Sequence, residues 1–176
     1  MASSRTYLNL FLSGIIMVSV ASCGDYDESI LPDLPDGIQA VSLLGDSLSS
    51  APPAEAVVER YELAKQAYEA DPRNADTIIW FGRRAAYMGE YREAITIFTR
   101  GILTFPGDAR MYRHRGHRYI TLRNFDRAVA DFETAARLIE GTEDQVEPDG
   151  LPNAMNIPLS SLHSNVWYHL GLAHYL

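Results

Sequence analysis

The sequence contains a single cysteine, Cys23, among its 176 residues. One cysteine cannot form an intramolecular disulfide, nor a zinc site that needs cysteine pairs. The fold must therefore be held together by packing. Basic residues are also in the minority, with 15 Lys and Arg against 23 Asp and Glu and a formal charge of -8. This balance argues against general nucleic-acid binding, which needs a net basic face.

The motifs of common enzyme chemistry are absent as well. The sequence has no glycine-rich phosphate loop and no Gly-x-Ser-x-Gly elbow, and its acidic residues mark no general acid–base pair. His114 and His117 are spaced to share a helix face, but a zinc site needs a third ligand that the sequence does not mark. We therefore predict a protein that is not an enzyme and that has no catalytic residues, no cofactor and no metal site.

The N-terminus has the features of an export signal. Arg5 supplies a positive charge, and the largely apolar stretch from Leu8 to Val20 follows it. This stretch has about 13 residues, which is too short for a bilayer core that needs roughly 20. It matches the hydrophobic region of a secretory signal. We interpret residues 1–22 as a cleaved signal peptide.

The four residues Val20-Ala21-Ser22-Cys23 resemble the lipobox of bacterial lipoproteins. The resemblance implies cleavage before Cys23 and lipidation of its thiol with several acyl chains of the palmitate type. Such chains anchor a protein stably, since each buried methylene contributes about 0.8 kcal/mol. Gly24 follows instead of the aspartate that serves as the common inner-membrane retention signal in enteric bacteria. This favours the periplasmic face of the outer membrane. An ordinary signal with a chance cysteine is the alternative.

Residues 23–53 are expected to form the lipidated cysteine and a flexible tether. Acidic residues and four prolines (Pro32, Pro35, Pro52 and Pro53) favour solvent-exposed chain here. The short apolar piece from Val41 to Leu44 is a candidate for docking on the first helix.

Residue types recur at an interval of 34 positions. The matched pairs are small, aromatic or proline residues: Pro72/Pro106, Ala75/Ala109, Gly82/Gly116, Tyr91/Phe125, Ala94/Ala128 and Phe98/Phe132. Apolar residues within each interval are three and four positions apart, which predicts two amphipathic helices per unit. The glycines allow close approach of the partner helix, and Phe98 and Phe132 are predicted to fill the space between units.

This pattern resembles the tetratricopeptide repeat (TPR). The resemblance covers about residues 54–176, with a half unit at 54–72 and full units at 75–108 and 109–140. An insert loop at 141–163 precedes a truncated unit at 164–176, in which Trp167, Leu170-Gly171 and Tyr175 match an opening half. It implies an all-α fold, with antiparallel helix pairs stacked as a right-handed α-solenoid.

Two departures from the repeat stand out. Arg115 replaces the usual apolar residue beside Gly116, and a buried guanidinium is costly without a carboxylate. The last unit stops at Leu176 after one helix, which leaves an apolar face without a partner. We therefore expect the natural protein to continue with further repeats.

The resemblance also implies a concave face lined by the first helix of each unit, where a protein or peptide partner binds. The lining positions carried over to this sequence are Arg83, Tyr87, Arg110, Arg113, His117, Asn165, Tyr168 and Tyr175. Because arginine suits bidentate capture of carboxylates, we expect an acidic segment or a C-terminal carboxylate as ligand. The alternative is a solvated basic helix face that acidic neighbours offset.

The leading functional interpretation is a membrane-anchored TPR scaffold that binds a protein or peptide in the bacterial cell envelope. Two other classes stay open. The repeats could present substrate in a larger enzyme whose C-terminal part is missing, or the chain could be a solute- or metal-binding envelope protein that uses its histidines and the acidic insert.

Overall fold

The computed structural model describes residues 31–147, 154–155 and 160–176. In this part, two strands are followed by six helices: β1 Ile38–Val41, β2 Ser47–Ser49, α1 Glu55–Ala70, α2 Ala75–Tyr87, α3 Tyr91–Thr104, α4 Ala109–Thr121, α5 Phe125–Ile139 and α6 Leu162–Tyr175. The predicted all-α architecture is confirmed. The predicted signal peptide, Cys23 and residues 148–153 and 156–159 of the insert lie outside the described residues. Within the described ranges, no helix is both long and apolar enough to cross a membrane.

The helices pack in chain order, each against the next. Contacts also join α2 to α4 and α4 to α6, which are the first helices of the successive units. These three helices therefore form one row, and α3 and α5 pack behind it. The last helix begins at Leu162, two residues before the expected start of the final unit.

Side-chain caps set the start of each helix in this row. The Asn74 side chain accepts the backbone N–H of Asp76 at 2.9 Å, and Asp108 accepts that of Arg110 at 3.0 Å. In α6, the Ser161 side chain accepts the backbone N–H of Ser164 in a capping box. These contacts satisfy N–H groups that have no partner inside the helix.

Glycines on the first helix of each full unit contact an aromatic ring from the second helix of the same unit. A Cβ atom at Gly82 would lie 2.6 Å from the ring of Phe98, and one at Gly116 would lie 2.9 Å from the ring of Phe132. The two phenylalanines are 1% and 0% exposed, and each ring also stacks on a histidine of the next unit, Phe98 on His114 and Phe132 on His169. This confirms that they fill the space between units. The corresponding Gly171 of α6 has no such neighbour within 4 Å.

Arg115 finds the carboxylate that its burial requires. Its Nε and Nη2 donate to the two oxygens of Asp131 at 2.8 and 2.7 Å, and its Nη1 donates to the Thr99 hydroxyl at 3.1 Å. The side chains of Arg115 and Asp131 are only 11% and 7% exposed. In the preceding unit the same two positions hold the buried apolar residues Phe81 and Ile97. A bidentate ion pair thus replaces an apolar contact.

Part of the segment interpreted as a tether has regular structure. Strands β1 and β2 pair antiparallel, and the hydroxyl of Ser50 donates to the carbonyl oxygen of Gly89 at 2.9 Å. Gly89 has a φ of +88°, which suits glycine at the turn between α2 and α3. The apolar piece expected to dock on α1 instead forms the exposed end of the hairpin, where Leu43 and Leu44 are 82% and 91% exposed.

The surroundings of Gly116 and Gly171 give opposite predictions for their substitution by alanine. Gly116→Ala places a methyl group against Phe132 and should lower the free energy of unfolding by about 1–3 kcal/mol. Gly171→Ala meets open space within a helix and should raise it by about 0.5–1 kcal/mol, because alanine is the better helix former. Equilibrium urea unfolding measures both changes. Effects of the same sign would show that the ring contact does not control this position.

Candidate functional site

A cavity of ≈ 210 Å³ lies between α2, α4 and α6. Five of the eight residues predicted for the concave face line it: Arg83, Tyr87, Arg113, His117 and Asn165. Other lining residues were not among the predicted ones: Phe98, His114, Arg118, Glu147, Ser160 and His169.

The other three predicted residues lie elsewhere. Arg110 pairs with Asp108 and Asp76, each at 2.7 Å, and lines a neighbouring cavity of ≈ 200 Å³. Tyr168 and Tyr175 are 67% and 87% exposed and line neither cavity. They differ from the expectation because α6 presents them on the side away from its buried residues.

Like Arg83, Arg113 is a buried cation of the site. Its side chain is 9% exposed, and its Nη2 contacts Oε2 of Glu147 at 2.5 Å. Its Nη1 donates to Nδ1 of His114 at 2.7 Å, whereas its buried Nε has no hydrogen-bond partner. Burial lowers the pKa of Arg113, and the charge of Glu147 opposes this shift. One edge of the guanidinium is thus paired, and another donor remains unused.

Glu147 enters the site from the insert. Its backbone N–H donates to the Ser160 carbonyl at 3.0 Å, and the backbone N–H of Leu162 donates to the Gln145 carbonyl at 2.8 Å. These bonds tie the insert to the start of α6 and direct Glu147 toward Arg113. Sequence reasoning missed this contact, because a carboxylate in a loop carries no periodic signal. The only hint was an acidic insert facing an arginine-rich helix that lacks carboxylates.

Arg118 is a second cation of the cavity. Its Nη2 donates to Nδ1 of His117 at 2.7 Å, and its guanidinium lies 5.8 Å from the ring centre of Tyr91. No carboxylate of the described residues forms an ion pair with it. Burial, with repulsion from Arg113 and Arg83, lowers the pKa of Arg118 to about 10. Arg118 thus carries a positive charge that no described acidic residue offsets.

Three histidines surround these arginines. The rings of His117 and His169 lie 4.5 Å apart, and His114 stacks on Phe98 at 5.4 Å. Burial and the neighbouring arginines lower the pKa of all three, that of His117 to about 2. Neutral rings fit the hydrogen bonds, since Nδ1 of His114 and of His117 accepts from an arginine. Among the described residues, no group of three or more His, Cys, Asp or Glu is placed to hold a metal ion.

The lowered pKa of His117 predicts a loss of stability in acid. Between pH 6.5 and about 2, the unfolded chain binds a proton at this position that the folded chain does not bind. The free energy of unfolding should therefore fall from pH 7 to pH 5, with about 2 kcal/mol of the loss due to His117. His117→Gln keeps an oxygen that accepts from Arg118 but does not titrate. Urea unfolding at both pH values should show a smaller loss for this variant, and an equal loss would contradict the assignment.

Comparison with known proteins identifies solved structures with a similar fold. No protein-family model matches the sequence, and no curated protein matches it. Among solved structures, that of PcrH in complex with the chaperone binding region of PopD matches with a TM-score of 0.53 and 16% identity, over 68% of this chain and 80% of PcrH. A second structure of PcrH, from Pseudomonas aeruginosa, has a TM-score of 0.45 and 17% identity, over 69% of this chain and 94% of that one.

A third match is the type III secretion chaperone SycD of Yersinia enterocolitica in complex with a peptide of the translocator YopD. Its TM-score is 0.47 and its identity 15%, over 72% of this chain and 98% of SycD. The PcrH complex supports the fold, because its TM-score exceeds 0.5. The chain therefore has a helical, TPR-like fold that it shares with PcrH.

Proposed function

We propose that this protein is a scaffold that binds a carboxylate-bearing segment of a partner protein through the cavity between α2, α4 and α6. One observation carries the proposal: two arginines of α4 line this cavity, and one of them already holds a carboxylate. Arg113 pairs with Glu147 at 2.5 Å, while Arg118 has no acidic partner among the described residues. The cavity is thus cationic although the whole chain has a formal charge of -8.

The donors suit an anionic group better than a neutral one. Hydrogen bonds from arginine to a carboxylate are about twice as strong as those between neutral groups. The low exposure of Arg113 strengthens such a bond further, because a buried charge is less screened by solvent. An acidic side chain and a C-terminal carboxylate both present two oxygens of the required geometry. The proposed ligand is accordingly an acidic peptide segment or a chain terminus.

The fold agrees with a polypeptide ligand. PcrH, which shares this fold at a TM-score of 0.53, is crystallised with the chaperone binding region of PopD. The support is an analogy at the level of the fold, because function depends on the residues of the site. The Arg113–Glu147 contact supplies evidence from this chain itself.

The proposal extends to location and chemistry. The chain is proposed to be exported, cleaved before Cys23 and held by acyl chains at the periplasmic face of the outer membrane. The single cysteine stands at the one position that a lipobox requires, and this supports the anchor. The scaffold is proposed to act without catalysis, by holding its partner near the membrane.

Removal of Arg118 should weaken the binding of acidic peptides. Arg118→Gln takes a cation out of the cavity without leaving a described carboxylate unpaired, and we expect the dissociation constant of an acidic peptide to rise about tenfold or more. Isothermal titration with matched acidic and neutral peptides, each with a free or an amidated C-terminus, measures this change. The comparison of termini separates side-chain recognition from terminal recognition.

Arg137→Gln is the matched control. Arg137 is exposed on α5 and its side chain donates to Thr134, away from the cavity. The control should bind like the wild type. If acidic and neutral peptides bind equally, or if both variants lose the same affinity, the cavity is not the binding site.

The anchor has a separate test. Cells that express the full chain and are fed labelled palmitate should label the wild type, whereas Cys23→Ser should carry no label because the thiol is missing. Ser22→Ala keeps a small residue before the cleavage point and should retain the label. Labelling of the Cys23→Ser chain, or no labelling of the wild type, would overturn the proposed lipidation.

A further inference from the structure

The base of the insert is a short extended segment that resembles a bound peptide. Val146 and Ser161 form an antiparallel bridge, with backbone hydrogen bonds from Glu147 to Ser160 and from Leu162 to Gln145. Two neighbouring side chains of this segment point in opposite directions. Val146 is 58% exposed, whereas the side chain of Glu147 is 11% exposed. The apolar side chain thus faces solvent and the charged one faces the protein.

This inverted pattern is informative because folding alone favours the reverse, with valine inside and glutamate outside. The orientation of Glu147 is explained by its contacts. Its Oε2 pairs with Arg113 and accepts a weaker hydrogen bond from the Ser160 hydroxyl at 3.4 Å. The site therefore selects a carboxylate at this point.

Glu147 also occupies a central place in the groove. It lines both the ≈ 210 Å³ cavity beside Arg118 and the ≈ 200 Å³ cavity beside Arg110. Arg83 and His114 line both cavities too. An extended chain that follows the row of first helices would have to pass through the position that Glu147 holds.

From this we infer that residues 145–147 are an internal substitute for the partner segment, and that the ligand is an extended chain whose carboxylate replaces Glu147 on Arg113. This inference rests on the proposed function and deepens it. It names the ligand class as an extended acidic segment, with an apolar or neutral residue before the acid, as in Gln-Val-Glu. It also makes ligand binding a competition with the insert.

The contact between Glu147 and Arg113 leaves hydrogen-bonding groups unused, so a ligand can form bonds that Glu147 does not form. Every hydrogen bond and ion pair of the Glu147 carboxylate within the described residues uses Oε2. Nε of Arg113 has no partner, and Arg118 has no described carboxylate. A ligand carboxylate that engages the guanidinium with both oxygens, or that reaches Arg118 as well, makes more charge-assisted bonds than Glu147 does.

Competition with a tethered segment lowers the apparent affinity. A segment of the same chain is present at a high effective concentration, so that only a fraction of the molecules has an open site. If the open fraction is about 1–10%, the apparent dissociation constant is about 10–100 times the intrinsic one. Removal of the Glu147 carboxylate should therefore lower the apparent dissociation constant toward the intrinsic one.

The test uses a capped pentapeptide with the sequence of residues 143–147, Glu-Asp-Gln-Val-Glu, and a version in which the last residue is glutamine. Glu147→Gln in the protein should bind the first peptide about tenfold or more tightly than the wild type does, and should discriminate against the second. Glu143→Gln removes the same charge from an exposed position of the same segment and should bind like the wild type. Thermal unfolding verifies that each variant is folded.

Amide hydrogen exchange of the wild type supplies a readout that does not depend on the variant. Saturation with the first peptide should speed exchange of the N–H groups of Glu147 and Leu162, because displacement breaks the bonds to Ser160 and Gln145. Unchanged or slower exchange at both, or equal affinity of Glu147→Gln and wild type, overturns the inference. Failure of the proposed function gives a different result. In that case Arg118→Gln does not weaken peptide binding, either in the wild type or in the Glu147→Gln protein.

Discussion

The contact between a helix glycine and a phenylalanine ring is the constraint on which this structure depends. Phe98 lies on Gly82 and Phe132 lies on Gly116, at distances that leave no room for a Cβ atom. Such contacts set how closely the two helices of a unit approach and thereby fix their rotation. Because both contacts have the same form, the first helices of successive units stand in one row. This row brings the lining residues of α2, α4 and α6 to one cavity.

The same constraint explains how α4 accommodates so many arginines. With Gly116 turned toward Phe132, the adjacent Arg115 has to enter the packed region, and Asp131 meets it with both oxygens. Its position corresponds to Phe81 in the preceding unit, so charge has replaced apolar packing without a change of fold. Burial raises the pKa of Asp131, and the Arg115 guanidinium opposes that shift. A pair of this kind contributes little net stability but specifies which faces meet.

Local periodicity was enough to predict the row of first helices. The 34-residue interval placed Phe98 and Phe132 in the core, and the lining positions implied by the resemblance to the TPR include Arg113, His117 and Asn165, which line one cavity. Contacts that bridge distant segments gave no such signal, and the hairpin against Gly89 and the entry of Glu147 were missed for that reason. The face of α6 was ambiguous because apolar residues surround it. Two tyrosines assigned to the groove therefore lie on its exposed side, while His169 lines the cavity.

The arginines of α4 divide according to what surrounds them, and this division bears on the alternative of a solvated basic face. Arg110 fits that alternative, since Asp76 and Asp108 offset it at the rim. Arg113 and Arg118 do not, because they line a cavity in which burial and repulsion from neighbouring arginines lower their pKa: Arg83 acts on Arg113, and Arg113 and Arg83 act on Arg118. A cation held in this way destabilises the fold unless an anion joins it. The insert supplies a carboxylate to Arg113 alone, so a ligand that replaces Glu147 and also reaches Arg118 would compensate both buried charges, which Glu147 does not do.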